Sequence, residues 1–216
     1  MKFFDRRSGF RSLRYASLFE EDLSNFDFSD DPENIVRNMQ NIFTKNIGMS
    51  FMRILIENGN EELESVYDMP EEKHLAISTK GKMFDALLNQ NRRIIFKSAL
   101  ETGYVYSGSR EDIGRFFAET GSDAFIILNE GRHILGVIIL GQKAGGNVYN
   151  NYDREVFTKL YSYFFVFGYY MKNIGNESIV GVVNREIRMS EQIIESIQGN
   201  IDPIKNKRYD SGMTMV

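Results

Sequence analysis

The chain has 216 residues, of which 42% are hydrophobic, 13% aromatic and 26% charged, with a formal net charge of −4 and no cysteine. This fits one globular domain with room for appendages, since domains usually run roughly 100–150 residues, and the apolar fraction excludes wholesale disorder. Without a thiol there are no disulfides, thiolate nucleophiles, Cys-ligated metal sites or thioether-linked chromophores; the two histidines, His74 and His133, cannot build a His-rich metal site, and the acidic balance gives no general basic field for nucleic acid. A cytoplasmic, non-enzymatic domain is the expectation.

The N-terminus, MKFFDRRSGFRSLRY, carries charges throughout and lacks the apolar core of a signal peptide. Lys2, Arg6, Arg7, Arg11 and Arg14 precede an acidic run from Glu20 to Asp31. Residues 1–30 therefore read as a solvated lead-in segment, with contact to an acidic surface or partner as the alternative. Ser29-Asp30-Asp31, Pro32 and Glu33 then form a helix start. Ile35, Val36, Met39, Ile42 and Phe43 supply one apolar face, and Gly48 marks the stop.

Residues 50–58 and 63–67 read as a hairpin closed by Asn58-Gly59-Asn60. The segment 74–89 reads as a weak helix, 92–99 as a strand and 111–119 as a short helix. The strongest strand pair is 124–128 with 133–140, joined by the polar loop Asn129-Glu130-Gly131-Arg132. Its second strand, HILGVIILG, is almost continuously apolar and should lie centrally, covered on both faces. From Asp153 a long helix runs through Phe164, Phe165 and Phe167. Its apolar stretch falls well short of the ~20 residues that span a bilayer. Hairpins with helices between and around them predict an α+β fold, an antiparallel sheet flanked by helices.

Residues 121–174 carry a more specific pattern: Leu135-Gly136-Val137, Gly141-Gln142-Lys143, Gly145-Gly146, Tyr149 and Asp153 before the closing helix. In these elements the chain resembles the C-terminal half of a GAF domain, and element order extends the resemblance over residues 31–174. PAS domains share a similar sheet. The resemblance implies a sensory or regulatory module of signalling proteins with a GAF/PAS-like central sheet. It also bears on cyclic-nucleotide binding. Lys143, an aromatic at Tyr149 and Asp153 match that signature in type, while Gln142 and Arg154 depart from it; Lys143 and Asp153 read physically as a salt bridge fixing the loop.

Other activities of GAF domains lack their residues here. Haem binding needs an axial histidine, and His74 and His133 both read as surface groups; methionine-sulfoxide reduction and bilin attachment need cysteine. Glu61-Glu62 and Glu71-Glu72 read as solvated charges rather than acid–base dyads. No catalytic residue, metal ligand or cofactor is expected. The ligand site that the fold implies lies against the segment 101–120, with Tyr104, Tyr106, Phe116 and Phe117 as walls and Ser107, Ser109, Arg110 and Thr120 as polar anchors. The alternative is that these aromatics fill the gap between sheet and helix.

Beyond Asn173, Val180, Val183, Ile187, Ser190, Ile194, Ile197 and Ile201 recur at alternating three- and four-residue steps, all but Ser190 apolar. That is a coiled-coil seam of about three heptads. The resulting organisation is a lead-in over 1–30, a GAF-like domain over 31–174, a signalling and dimerisation helix over 175–201 and a disordered tail over 202–216. Homodimerisation is expected through Phe164, Phe167, Ile187, Ile194 and Ile197, because a helix apolar nearly all round needs more cover than one sheet supplies. An output domain or signalling protein is the expected further partner; nucleic acid is not. The functional reading is a small-ligand or partner sensor signalling through a dimeric helix, and the alternative is a ligandless scaffold for dimerisation and docking.

Overall fold

A computed structural model describes residues 17, 19–66, 74–102, 106 and 108–173. The expected signalling helix with Ile187, Ile194 and Ile197, the tail, the wall residue Tyr104 and the polar anchor Ser107 lie outside the described residues.

Strands β1 (Met52–Glu57), β2 (Glu62–Ser65), β3 (Ala76–Ser78), β4 (Ile94–Phe96), β5 (Ala124–Glu130) and β6 (His133–Leu140) form one antiparallel sheet in the order β3-β2-β1-β6-β5-β4. The apolar run of β6 takes the central place expected of it, bonded to β1 on one side and β5 on the other, with Ile134 through Leu140 all buried. A strand without a polar face needs cover on both sides. One face carries the helical residues 19–24 (α1), α2 (Pro32–Ile47), α6 (Asn151–Lys159) and α7 (Tyr161–Lys172); the other carries α3 (Lys82–Asn89), α4 (Ser98–Thr102) and α5 (Arg110–Thr120). This is the expected α+β architecture, a central antiparallel sheet flanked by helices.

Local chemistry sets the element ends. In α2, Pro32 stands at the first turn, where a missing N–H costs no bond, and Gly48 closes the helix at φ +66 with its N–H on the Thr44 carbonyl, 2.9 Å. Three elements differ from the sequence reading. Ala76–Ser78, expected within a helix, forms an edge strand because β2 offers it a ladder. The strand expected over 92–99 narrows to Ile94–Phe96, and Ser98 opens α4. The long closing helix divides at Leu160, whose backbone leaves helical geometry (φ −91, ψ 4) and whose side chain is buried. That corner sets α6 against β4 while α7 crosses β1, β6 and β5.

Of the segment expected to be a solvated lead-in, residues 19–28 pack into the core, while residues 1–16 and 18 lie outside the described residues. Phe19, Leu23 and Phe28 are buried, and Phe19 meets Phe43 edge-on at 5.1 Å and Phe164 at 5.9 Å between ring centroids. Phe26 stands against Phe167 at 6.1 Å, and the Tyr170 hydroxyl donates to the Phe28 carbonyl at 2.9 Å. These contacts correct the expectation that Phe164 and Phe167 face a second copy: both are fully buried inside one chain. The helix is apolar nearly all round because the sheet covers one side and α1, residues 26–28 and α2 cover the other. Gly168 permits the close approach of α7 to β5, since a Cβ there would collide with Leu128 Cδ1.

Candidate functional site

The segment expected to line a ligand pocket lies on the face covered by α3 and α5. Tyr106, Phe116 and Phe117 are buried there. Phe116 and Phe117 set their rings 4.6 and 5.2 Å from Phe125 of β5, and Phe84 of α3 approaches Phe116 edge-on at 6.1 Å. Thr120 is buried as well; its hydroxyl lies 2.8 Å from the Phe116 carbonyl and 2.7 Å from Ser122 Oγ, so its polarity is spent locally. Ser109 is buried, and its carbonyl accepts from Ile113 N in the first turn of α5. Arg110 stands exposed at the start of that helix. The three aromatics thus occupy core positions. A cleft of about 360 Å³ opens beside them, bordered by Ile77, Lys80, Met83, Phe84, Arg115 and Phe116; of the described wall residues only Phe116 reaches it.

Lys143 and Asp153 meet as a half-buried ion pair, Nζ to Oδ1 at 2.8 Å, with side-chain exposures of 17% and 2%. Asp153 Oδ2 also accepts the Asn150 N–H at 2.9 Å, while the Asn150 side chain accepts from Tyr152 and Asp153, a reciprocal cap on α6. Lys143 Nζ stands over the Tyr149 ring at 5.5 Å, and the Tyr149 hydroxyl donates to the Gly141 carbonyl at 2.8 Å. Lys143, Tyr149 and Asp153 are therefore each engaged in fixing the loop 141–150 and its junction with α6.

A second half-buried pair ties the far end of α7 to the sheet. Lys172 Nζ lies 2.8 Å from Glu57 Oε2, and Glu57 Oε1 accepts the N–H groups of Gly59 and Glu61 at 2.7 and 3.0 Å. Burial pushes the Glu57 carboxyl up, but the Lys172 and Gly59 hydrogen bonds and the charges of Lys172 and His133 outweigh it and hold the group below its ordinary value. His133 Nε2 stands 3.2 Å from Lys172 Nζ.

The sequence reading missed a third arrangement. Arg92, Arg93 and Arg154 border one cleft of about 450 Å³ with Asn91, Thr158 and Tyr161. Arg93 lies over the Tyr161 ring at 4.9 Å; Arg154 lies over the Phe96 ring at 4.7 Å and donates to the Ile94 carbonyl at 2.6 Å. The adjacent Arg92 and Arg93 were visible as a pair, but only the corner at Leu160 brings Arg154 and Tyr161 to them.

No family model matches the chain, and no curated protein matches it. Solved structures do. The chain is similar to the GAF domain of A. aeolicus nlh2 in an inactive state, at 15% identity over 74% of this chain and 93% of that one, with a TM-score of 0.39. It is similar to the GAF domain of a phosphoenolpyruvate-protein phosphotransferase from Coxiella burnetii, at 9% identity over 89% and 98%, TM-score 0.42. A third is the free methionine-R-sulfoxide reductase of Neisseria meningitidis in complex with its substrate, at 10% identity over 85% and 93%, TM-score 0.44. Among the described residues no helix is long and apolar enough to cross a membrane.

Proposed function

We propose that the chain is a non-enzymatic regulatory module of GAF type, which binds a small ligand or partner and passes the resulting shift to the segment beyond Asn173. The observation that carries this reading is the seating of α7: it crosses the three strands β1, β6 and β5, is locked to β1 by Lys172 and Glu57, and ends eight residues ahead of Val180, where the apolar seam begins in sequence. A helix held along its length by the sheet moves with the sheet, so a displacement at either face is delivered to the chain that follows. The buried carboxylates Glu57 and Asp153 are both committed to lysines and backbone amides rather than left to move protons. The thiol route to methionine-sulfoxide reduction has no cysteine to run on.

A second reading, a scaffold that takes no ligand on the α3/α5 face, is favoured by one observation: Tyr106, Phe116 and Phe117 already fill that space against Phe125. Cyclic-nucleotide binding through Lys143 and Asp153 would have to compete with the ion pair and the α6 cap bonds those side chains already make. Native mass spectrometry of the chain purified from its own host separates the readings. A small molecule retained on a dimer supports the sensor, a bare dimer supports the scaffold, and a bare monomer overturns both.

A further inference from the structure

Of the clefts in the molecule, the one between the open edge of β4, the start of α6 and the corner at Leu160 has a chemistry that nothing above employs. Its border holds three guanidinium groups, and among the described residues no carboxylate lines it. In a chain whose formal net charge is −4, three uncompensated arginines in one cleft are not a sample of the general surface. Like charges held together repel, and the repulsion grows as water is removed from them.

These arginines are held in place rather than waving in solvent. Arg92, Arg93 and Arg154 are each half-buried. The turn that delivers Arg92 and Arg93 is fixed at Asn91, which adopts φ +52, a conformation asparagine tolerates, and by the Arg92 N–H on the Leu87 carbonyl at 2.8 Å. Arg154 is clamped between the Phe96 ring and the Ile94 carbonyl, on the edge of β4 that faces away from β5. The platform under Arg93 is equally fixed: the Tyr161 hydroxyl donates to the Ile127 carbonyl at 2.9 Å and accepts the Asn129 N–H at 3.3 Å. Burial pushes the Tyr161 hydroxyl up against the opposing pull of the Asn129 N–H and Arg93, so the ring stays neutral near pH 7 and does not itself balance the cations.

One donor in this cluster is unmet. Arg93 Nε is buried and has no hydrogen-bond partner among the described residues. A buried donor without an acceptor costs about 1–3 kcal/mol, more when the group is charged. Planar guanidinium forks match the oxygens of a phosphoryl group, and an anion in the cleft would answer the uncompensated charge. The volume, about 450 Å³, falls within the range of small-ligand sites.

We propose that the Arg92–Arg93–Arg154 cleft is a binding site for a small phosphoryl-bearing anion of at least two negative charges, such as a phosphorylated metabolite or a nucleotide phosphate tail. The site lies on the face of the sheet opposite the expected ligand wall and does not depend on the regulatory reading. Its test uses the full chain with inorganic pyrophosphate as probe, followed by isothermal titration at low and at physiological salt. The expected result is one saturable site per chain that weakens with salt. Binding should fall at least tenfold in Arg93→Gln and in Arg92→Gln, whose side chain makes no bond that the fold needs, and should be unchanged in Arg37→Gln, an exposed cation of α2 that lines no cleft described above. Circular dichroism melts of each variant confirm that the fold is retained. Inorganic phosphate and an acidic peptide serve as further arms. Equal binding of the peptide and of pyrophosphate would overturn the small-ligand assignment in favour of a protein partner, and unsaturable pyrophosphate binding, or binding that survives both glutamine variants, would overturn the site.

Discussion

Phe19→Ala tests whether the segment before the first long helix belongs to the domain. The ring is fully buried, packed edge-on against Phe43 at 5.1 Å and tilted against Phe164 at 5.9 Å. Truncating a buried phenylalanine removes its transfer free energy and leaves a cavity, together about 3–5 kcal/mol, with aromatic pairs contributing roughly 0.5–1.5 kcal/mol beyond area. For a chain of this size each kcal/mol moves the melting temperature by about 2–4 °C, so a drop of roughly 6–20 °C is expected. Urea unfolding followed by circular dichroism gives the free energy directly, and the slope should be unchanged if only stability is altered. Phe19→Leu keeps most of the volume and should lose far less. A Phe19→Ala melt within about 2 °C of the parent would mean that the segment is a detachable lead-in, and the account of how α7 is covered would fall with it.

Ile139 lies in β6 with its side chain in the α3/α5 core; Ile139→Asp buries an unpaired charge and should abolish cooperative folding, as read by the loss of a thermal transition. Lys143→Met strands the Asp153 carboxylate at 2% exposure and should cost about 3 kcal/mol in urea unfolding, with Lys143→Met/Asp153→Asn recovering part of it. Glu57 has a folded-state value held below its ordinary 4.5, so its contribution is complete above that value and is lost as pH falls through the depressed one. Stability measured from pH 6 downward should therefore fall less steeply in Lys172→Met than in the parent; identical acid limbs would show that the Glu57–Lys172 pair carries no pH-linked stability.

Much of the fold was legible where local signals are strong and self-contained. Pro32 and Gly48 bracket α2 because each suits a helix end on backbone grounds alone, and the apolar run of β6 predicts a strand covered on both faces without knowledge of what covers it. Signals failed where a distant segment decided the outcome. Ala76–Ser78 is too short for its alternation to signal a strand and becomes β3 by pairing with β2. Nothing in the sequence around Leu160, neither proline nor glycine, announces the corner between α6 and α7. The Phe28–Tyr170 contact joins residues 142 apart, a separation over which no periodicity reports. The same distinction divides the sites. Lys143 and Asp153 were readable because one short loop holds both, whereas Arg154 reaches Ile94 from 60 residues away.

Burial of Phe164 and Phe167 changes what a dimer of this chain can rest on. With those rings inside the protomer, α7 offers a partner only its half-buried positions, among them Phe165 and Tyr169, which already pack against the core. The proposed association therefore falls to the seam carried by Ile187, Ile194 and Ile197, residues of the sequence outside the described structure. A seam of about three heptads is short, and its stability as a coiled coil is concentrated in a few apolar positions. Two charges placed there should be enough to break it, since each copy would present the same charge to its symmetry mate across a two-fold contact. Ile187→Glu/Ile194→Glu should sediment as a monomer at tens of micromolar while keeping the parent's thermal transition, and Phe164→Ala should lose stability without a specific loss of association. A double variant that remains dimeric would place the contact elsewhere; a parent chain that is monomeric at the same concentration would remove the dimeric helix from the proposed function.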